Sequence, residues 1–206
     1  MPSISHFDIY KPAEPCNLSG EQLRETMDRI VSECLSKDGK ELSLKGYCVG
    51  WRGMSVITLD DRVANVKRLN LGGNRIGDEG VKLLAEASLF AKVNWLELGG
   101  NDIGPAGIRA LVNSKVFAKV KTLNLYRNFL KDEGAVIFAA ENKLSKIEEM
   151  DLAQNEIGDT GLLALADSKA FPNLVAAYFD NNFASAEANE EARQAPNFKK
   201  LQSLNL

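Results

Sequence analysis

From about residue 39 onward, apolar and polar positions recur with a period of 27 residues. Each unit opens on an alternation of two apolar residues around a polar one: Leu69/Leu71, Leu96/Leu98, Leu123/Leu125, then Met150/Leu152. Alternation over so short a stretch predicts a strand with one buried face. Three residues further on stands an asparagine, at Asn74, Asn101, Asn128, Asn155 and Asn182. An apolar residue follows (Ile76, Ile103, Leu130, Ile157), and then a stretch with helical spacing that carries Leu83/Leu84, Ala110/Leu111, Ile137/Phe138 and Ala164/Leu165. Phe90, Phe117, Leu144, Phe171 and Phe198 close the units on the same beat. A period of this length predicts a solenoid in which each strand-plus-helix unit buries its apolar face against its neighbours.

The slots between the apolar positions have physical reasons of their own. An Asn at the end of the strand carries two donors and an acceptor, so it can satisfy backbone groups that the bend removes from the ladder. We expect the five Asn residues to form a structural ladder. Gly77, Gly104 and Gly158 fall at expected helix N-caps, with Pro105 at a first helical position. Asp78, Asp132 and Asp159 suit the positive end of a helix dipole. Gly80, Gly107, Gly134 and Gly161 sit one turn in, where glycine costs about 1 kcal/mol relative to alanine. Their recurrence predicts close packing that excludes a Cβ.

Before the repeats, residues 1–18 carry three prolines and no period, which predicts an irregular arm. Residues 19–37 place Leu23, Met27, Ile30, Val31, Cys34 and Leu35 on one helical face. Ser19 and Gln22 read as a capping box, Leu18 and Leu23 as a hydrophobic staple, and Gly39 as the stop. The division expected is therefore 1–38, arm plus capping helix, and 39–206, the repeats. The first unit has Tyr47 in place of the Asn. The sixth is degraded, with Ala184, Ser185 and Ala188 in the Ile76, Gly77 and Gly80 slots, and a partial seventh ends at Leu206.

Composition narrows the function. The 206 residues carry a net charge of -3, without the basic face of a nucleic-acid binder. No apolar run approaches ~18 residues, so no transmembrane helix is expected. The N-terminus has neither basic nor apolar signal-peptide regions. Three cysteines, Cys16, Cys34 and Cys48, are expected to be free thiols in a reducing, cytoplasmic setting. The only histidine, His6, lies in the arm, and no nucleophile, acid–base pair or metal-ligand spacing accompanies it. The chain reads as a non-enzyme without cofactor or metal.

The L-x-L-x-x-N frame, followed by I-G and a second Gly, resembles the leucine-rich repeat. The 27-residue length and helical second half are similar to its ribonuclease-inhibitor-like subclass, over roughly residues 39–206. That resemblance implies an α/β arc or horseshoe, with parallel strands on the concave face and helices on the convex face. It also implies ligands bound on the concave face or its rim.

The period then assigns the strand-face positions. They include Trp95, Tyr126, Arg127 and Tyr178, which are hot-spot residue types. Flat glycine pairs lie beside them at Gly72/Gly73 and Gly99/Gly100. Acidic residues (Glu97, Glu148, Glu149, Asp151, Asp180) gather toward the middle and C-terminal half, and basic ones (Lys40, Lys45, Lys67, Arg68) toward the N-terminal end. On the reading that these slots carry no fold requirement, the expected partner-binding residues are Arg68, Trp95, Glu97, Tyr126, Arg127, Glu149, Asp151 and Tyr178. The function expected is docking of a partner protein of basic and apolar character, with no nucleic acid and no membrane. The alternatives are an enzyme regulator such as a small-GTPase activator, using Arg75 or Arg127, or a self-assembling scaffold unit that pairs through its last strand.

Overall fold

A computed structural model describes residues 14–206; His6 and most of the arm lie outside them. Seven three-residue strands follow one another at 27-residue intervals: β1 (Glu41–Ser43), β2 (Arg68–Asn70), β3 (Trp95–Glu97), β4 (Thr122–Asn124), β5 (Glu149–Asp151), β6 (Ala176–Tyr178) and β7 (Ser203–Asn205). They form one parallel sheet in sequence order, with each leucine in register on the next: Leu42 on Leu69, Leu69 on Leu96, Leu96 on Leu123. The return segments are α2 (Gly50–Ile57), α3 (Gly77–Glu86), α4 (Pro105–Val112), α5 (Lys131–Glu141), α6 (Asp159–Asp167) and α7 (Ala186–Gln194), and they pack on one another in the same order. Between sheet and helices runs one apolar core, in which the strand leucines and the closing Phe90, Phe117, Leu144, Phe171 and Phe198 are buried. Units are numbered here by their strands.

The capping helix α1 (Gly20–Cys34) buries Leu23, Met27, Ile30 and Val31. Ser19 is its N-cap residue, but its side chain makes no capping bond, so the capping box does not form. The helix stops at Cys34, three residues short of the expected end, with Leu35 extended. Gly39 (φ +66°) serves the turn into β1 instead, where its N–H donates to the Ser36 carbonyl. In the arm, Pro15–Asn17 forms a short 3-10 turn rather than irregular chain.

The cysteine expectation is also corrected. Cys16 and Cys48 are joined as a disulfide with their Cα atoms 5.4 Å apart, which ties the arm to the first unit, and Cys34 is free. Free thiols thus no longer argue for a cytoplasmic location; such bonds persist in oxidising surroundings. Among the described residues no helix is long and apolar enough to cross a membrane.

The Asn ladder forms as expected. The Asn101 Nδ2 donates to the carbonyls of Leu71, Leu98 and Gly99, and its Oδ1 accepts the N–H of Asn74. Asn74 and Asn128 repeat this pattern of donors. Unit 4 departs from it. Its Phe129 N–H turns to the Ile103 carbonyl, and the buried Oδ1 of Asn155 has no partner.

A second ladder was not legible in advance. The Asp78 Oδ1 accepts the N–H of Gly104, Asp132 that of Gly158, and Asp159 that of Ser185, at 2.6–2.7 Å. Each aspartate therefore caps the helix of the following unit rather than its own. Gly107 and Gly161 are explained by the same closeness: a Cβ at Gly161 would lie 2.7 Å from Asp132 Oδ1 and 2.8 Å from the Ala135 Cβ. The degraded sixth unit keeps its helix because Ser185 supplies a cap of its own, accepting the Ala188 N–H.

Candidate functional site: the strand face

The strand face carries the polar residues that alternate with the core leucines. Two of its slots do carry a fold requirement, contrary to expectation. The last residue of the strand turns its side-chain oxygen onto the N–H two residues on: Asn70 to Gly72, Glu97 to Gly99, Asn124 to Tyr126 and Asp151 to Ala153, at 2.6–3.0 Å. An acceptor is therefore selected there for the bend. The residue immediately before the Asn slot takes positive φ in units 1 to 6, at Gly46, Gly73, Gly100, Arg127, Gln154 and Asn181. Glycine meets that demand without strain. Arg127 meets it at φ +54°, at a cost that a side chain needed at that place can offset.

With those requirements removed, the remaining features are specific. Trp95 is partly buried under Arg68, whose guanidinium lies 4.3 Å from the ring centroid in a cation–π contact across two paired strands. Tyr126 and Arg127 are exposed, and Tyr178 is half-buried. Glu97 and Asp151 are half-buried too. Burial pushes the Glu97 carboxyl up, against the Gly99 N–H that lowers it, with Asp151 raising it and Lys45 lowering it. Burial also pushes Asp151 up, against the Ala153 N–H, with Asp180 and Glu149 adding to the rise. Among the described residues no salt bridge reaches either carboxylate. Between Glu97 and the glycine pairs lies an open depression of about 430 Å³, bordered also by Lys45, Asn124, Tyr126 and Arg127.

The sheet register thus places Arg68, Trp95, Glu97, Tyr126, Arg127, Glu149, Asp151 and Tyr178 along one face of β2–β6 and the turns that follow. Glu149 is fully exposed, and the neighbouring Glu148 is held by Lys121 at 2.6 Å. Arg75, the candidate for acting on an enzyme partner, is paired with Glu14 at 3.4 Å. Glu14 also approaches Cys16 and Cys48, but those two sulfurs are bonded to one another. Two exposed aromatics beside this face, Phe129 and Phe183, were missed. The signal was present, since both occupy the slot after the Asn that holds Arg75, Asp102 and Glu156 elsewhere.

A sequence profile described as leucine rich repeat matches residues 64–85, 94–112 and 143–166. No curated protein matches the sequence. Among solved structures, an internalin from Listeria monocytogenes superposes with a TM-score of 0.52 at 21% identity, over 81% of this chain and 47% of the internalin. The chain therefore spans about half the length of that relative. Leiomodin-1 actin-binding site 2 aligns over 91% of this chain and 80% of its own length, at 11% identity and a TM-score of 0.35. Seven in-register parallel strands, each returned by a helix, together with the profile matches, make this chain an α/β solenoid of leucine-rich repeats.

Proposed function

We propose that the chain is a non-enzymatic docking module that binds a partner protein on the inner, strand-bearing face of the solenoid. Leucine-rich repeats generally mediate protein–protein interaction, and the even 27-residue units with helical returns support placement in the ribonuclease-inhibitor-like subclass. The observation that carries the reading is the pair of desolvated, unpaired carboxylates, Glu97 and Asp151, held beside Trp95, Tyr126 and Tyr178. Carboxylates held half-buried without a cationic partner lower stability, and such arrangements cluster at functional sites. Aromatic anchors beside them supply the apolar area that a hot spot needs. The partner contacts are Arg68, Trp95, Glu97, Tyr126, Arg127, Glu149, Asp151 and Tyr178.

The test is selection of binders from a displayed library of random protein segments, followed by affinity measurement with the Trp95→Ala/Tyr126→Ala double variant. The expected result is a loss of about tenfold or more in affinity, the size of one hot-spot contact. Binders whose affinity the double variant leaves unchanged would overturn the reading.

A further inference from the structure

Phe129 and Phe183 are 46% and 72% exposed, large apolar side chains that the fold does not require. They occupy the same slot two units apart, and the unit between them places Glu156 there. The backbone sorts them. The N–H groups of Phe129 and Phe183 donate to the carbonyls of Ile103 and Ile157 at 2.8 and 2.7 Å. Cys48, Arg75, Asp102 and Glu156, which fill the slot in the other units, take positive φ instead. The two slots thus share one backbone geometry, two strand spacings or roughly 10 Å apart, with the Glu156 slot between them. A groove of about 490 Å³ runs here, lined by Phe129, Phe183, Glu156, Arg127, Gln154 and Asn181.

Charge selects the occupant. The strand-face and rim positions of units 5 and 6 carry Glu149, Asp151, Glu156 and Asp180, and no Lys or Arg. The corresponding positions of units 1 and 2 carry Lys45, Arg68 and Arg75 against one acid, Glu41. Among the described residues, the cations that line the groove or pair with Glu156 come from unit 4: Arg127, and Lys131, whose Nζ lies 4.0 Å from Glu156 Oε2 in a loose pair of solvent-exposed groups. An ammonium already stands near Glu156, and a partner's cation can take its place at little cost.

We propose that this groove receives a lysine or arginine side chain from an extended basic segment of a partner protein. The aliphatic stem lies between Phe129 and Phe183, and the cation sits over Glu156. The inference rests on the reading that the strand face is a docking face, and adds the chemistry that its C-terminal rim selects.

Fluorescence anisotropy with a labelled dodecapeptide of alternating lysine and serine tests it, with the glutamate–serine peptide as control. The lysine peptide binds and the glutamate peptide does not. Phe183→Ala and Glu156→Gln each weaken binding by about fivefold, the size of a cation–π or exposed ionic contact. Trp51→Ala, on α2 of the helix side, leaves it unchanged. Absence of lysine-peptide binding, or equal affinity in all variants, overturns the inference. If library-selected binders still depend on Trp95 and Tyr126 in that case, the docking face stands and only the rim assignment falls. If those binders ignore Trp95 and Tyr126, the docking face itself falls.

Discussion

The side-chain oxygen of Asn101 accepts the backbone N–H of Asn74 at 3.0 Å, so each asparagine satisfies the bend of the unit before it as well as its own. Asn101→Ala removes one acceptor and three donated bonds at a fully buried position. Each orphaned backbone group costs about 1–3 kcal/mol. The expected loss is about 3 kcal/mol or more in urea unfolding. Asn182→Ala, at a half-buried position, is expected to cost less. Equal costs at the two positions would contradict a cooperative ladder.

Asp132 acts across the same interface from the helix side. Its Oδ1 accepts the N–H groups of both Gly158 and Gly161. Asp132→Ala is expected to destabilise by about 1–2 kcal/mol, the range of a lost N-cap, and Asp132→Asn by less. Glu133→Ala, at the exposed neighbouring position whose carboxylate bonds no backbone N–H among the described residues, serves as the reference near zero.

The repeat made these interfaces predictable only in part. Strand, bend and helix were legible because leucine alternation and helical spacing each have one physical solution at 27-residue period. The direction of the aspartate caps was not, since a residue at a helix start points equally well to its own dipole or to the neighbour's N–H. The Cys16–Cys48 bond was hidden because pairing depends on how the arm folds back, and 32 residues of intervening sequence do not record that. Among site residues, Trp95 and Tyr126 stood out as aromatics in polar slots. The structural acceptor role of Glu97 and Asp151 became visible only when their oxygens were placed on Gly99 and Ala153.

Glu97 gives a pH prediction with a defined sign. Its folded-state pKa is raised, chiefly by burial. The folded protein therefore binds the proton more tightly than the unfolded chain, and stability falls as pH rises from the ordinary carboxylate range through the raised value. Glu97→Gln keeps an acceptor for the Gly99 N–H and removes that slope. The variant should gain stability relative to the parent between pH 4 and pH 7, read as a widening difference in melting temperature. A difference that shrinks with rising pH would show that the carboxylate is stabilised by its surroundings.

The disulfide closes a loop with a sequence separation of 32. Loop-closure entropy at that length corresponds to about 3–4 kcal/mol. Reduction, or Cys48→Ser, should lower the denaturation midpoint accordingly and expose the face of α2 where Cys16 lies against Gly50. An unchanged midpoint under reductant would show that the arm contributes nothing to the first unit.

The central claim is that partners dock on the strand face. Hydroxyl-radical footprinting with a library-selected binder reads it most directly, because oxidisable aromatics lie on both sides of the solenoid. The account predicts protection of Trp95, Tyr126 and Tyr178 on binding, with Trp51, 46% exposed on α2, oxidised as before. Protection at Trp51 with Trp95, Tyr126 and Tyr178 unchanged would contradict it.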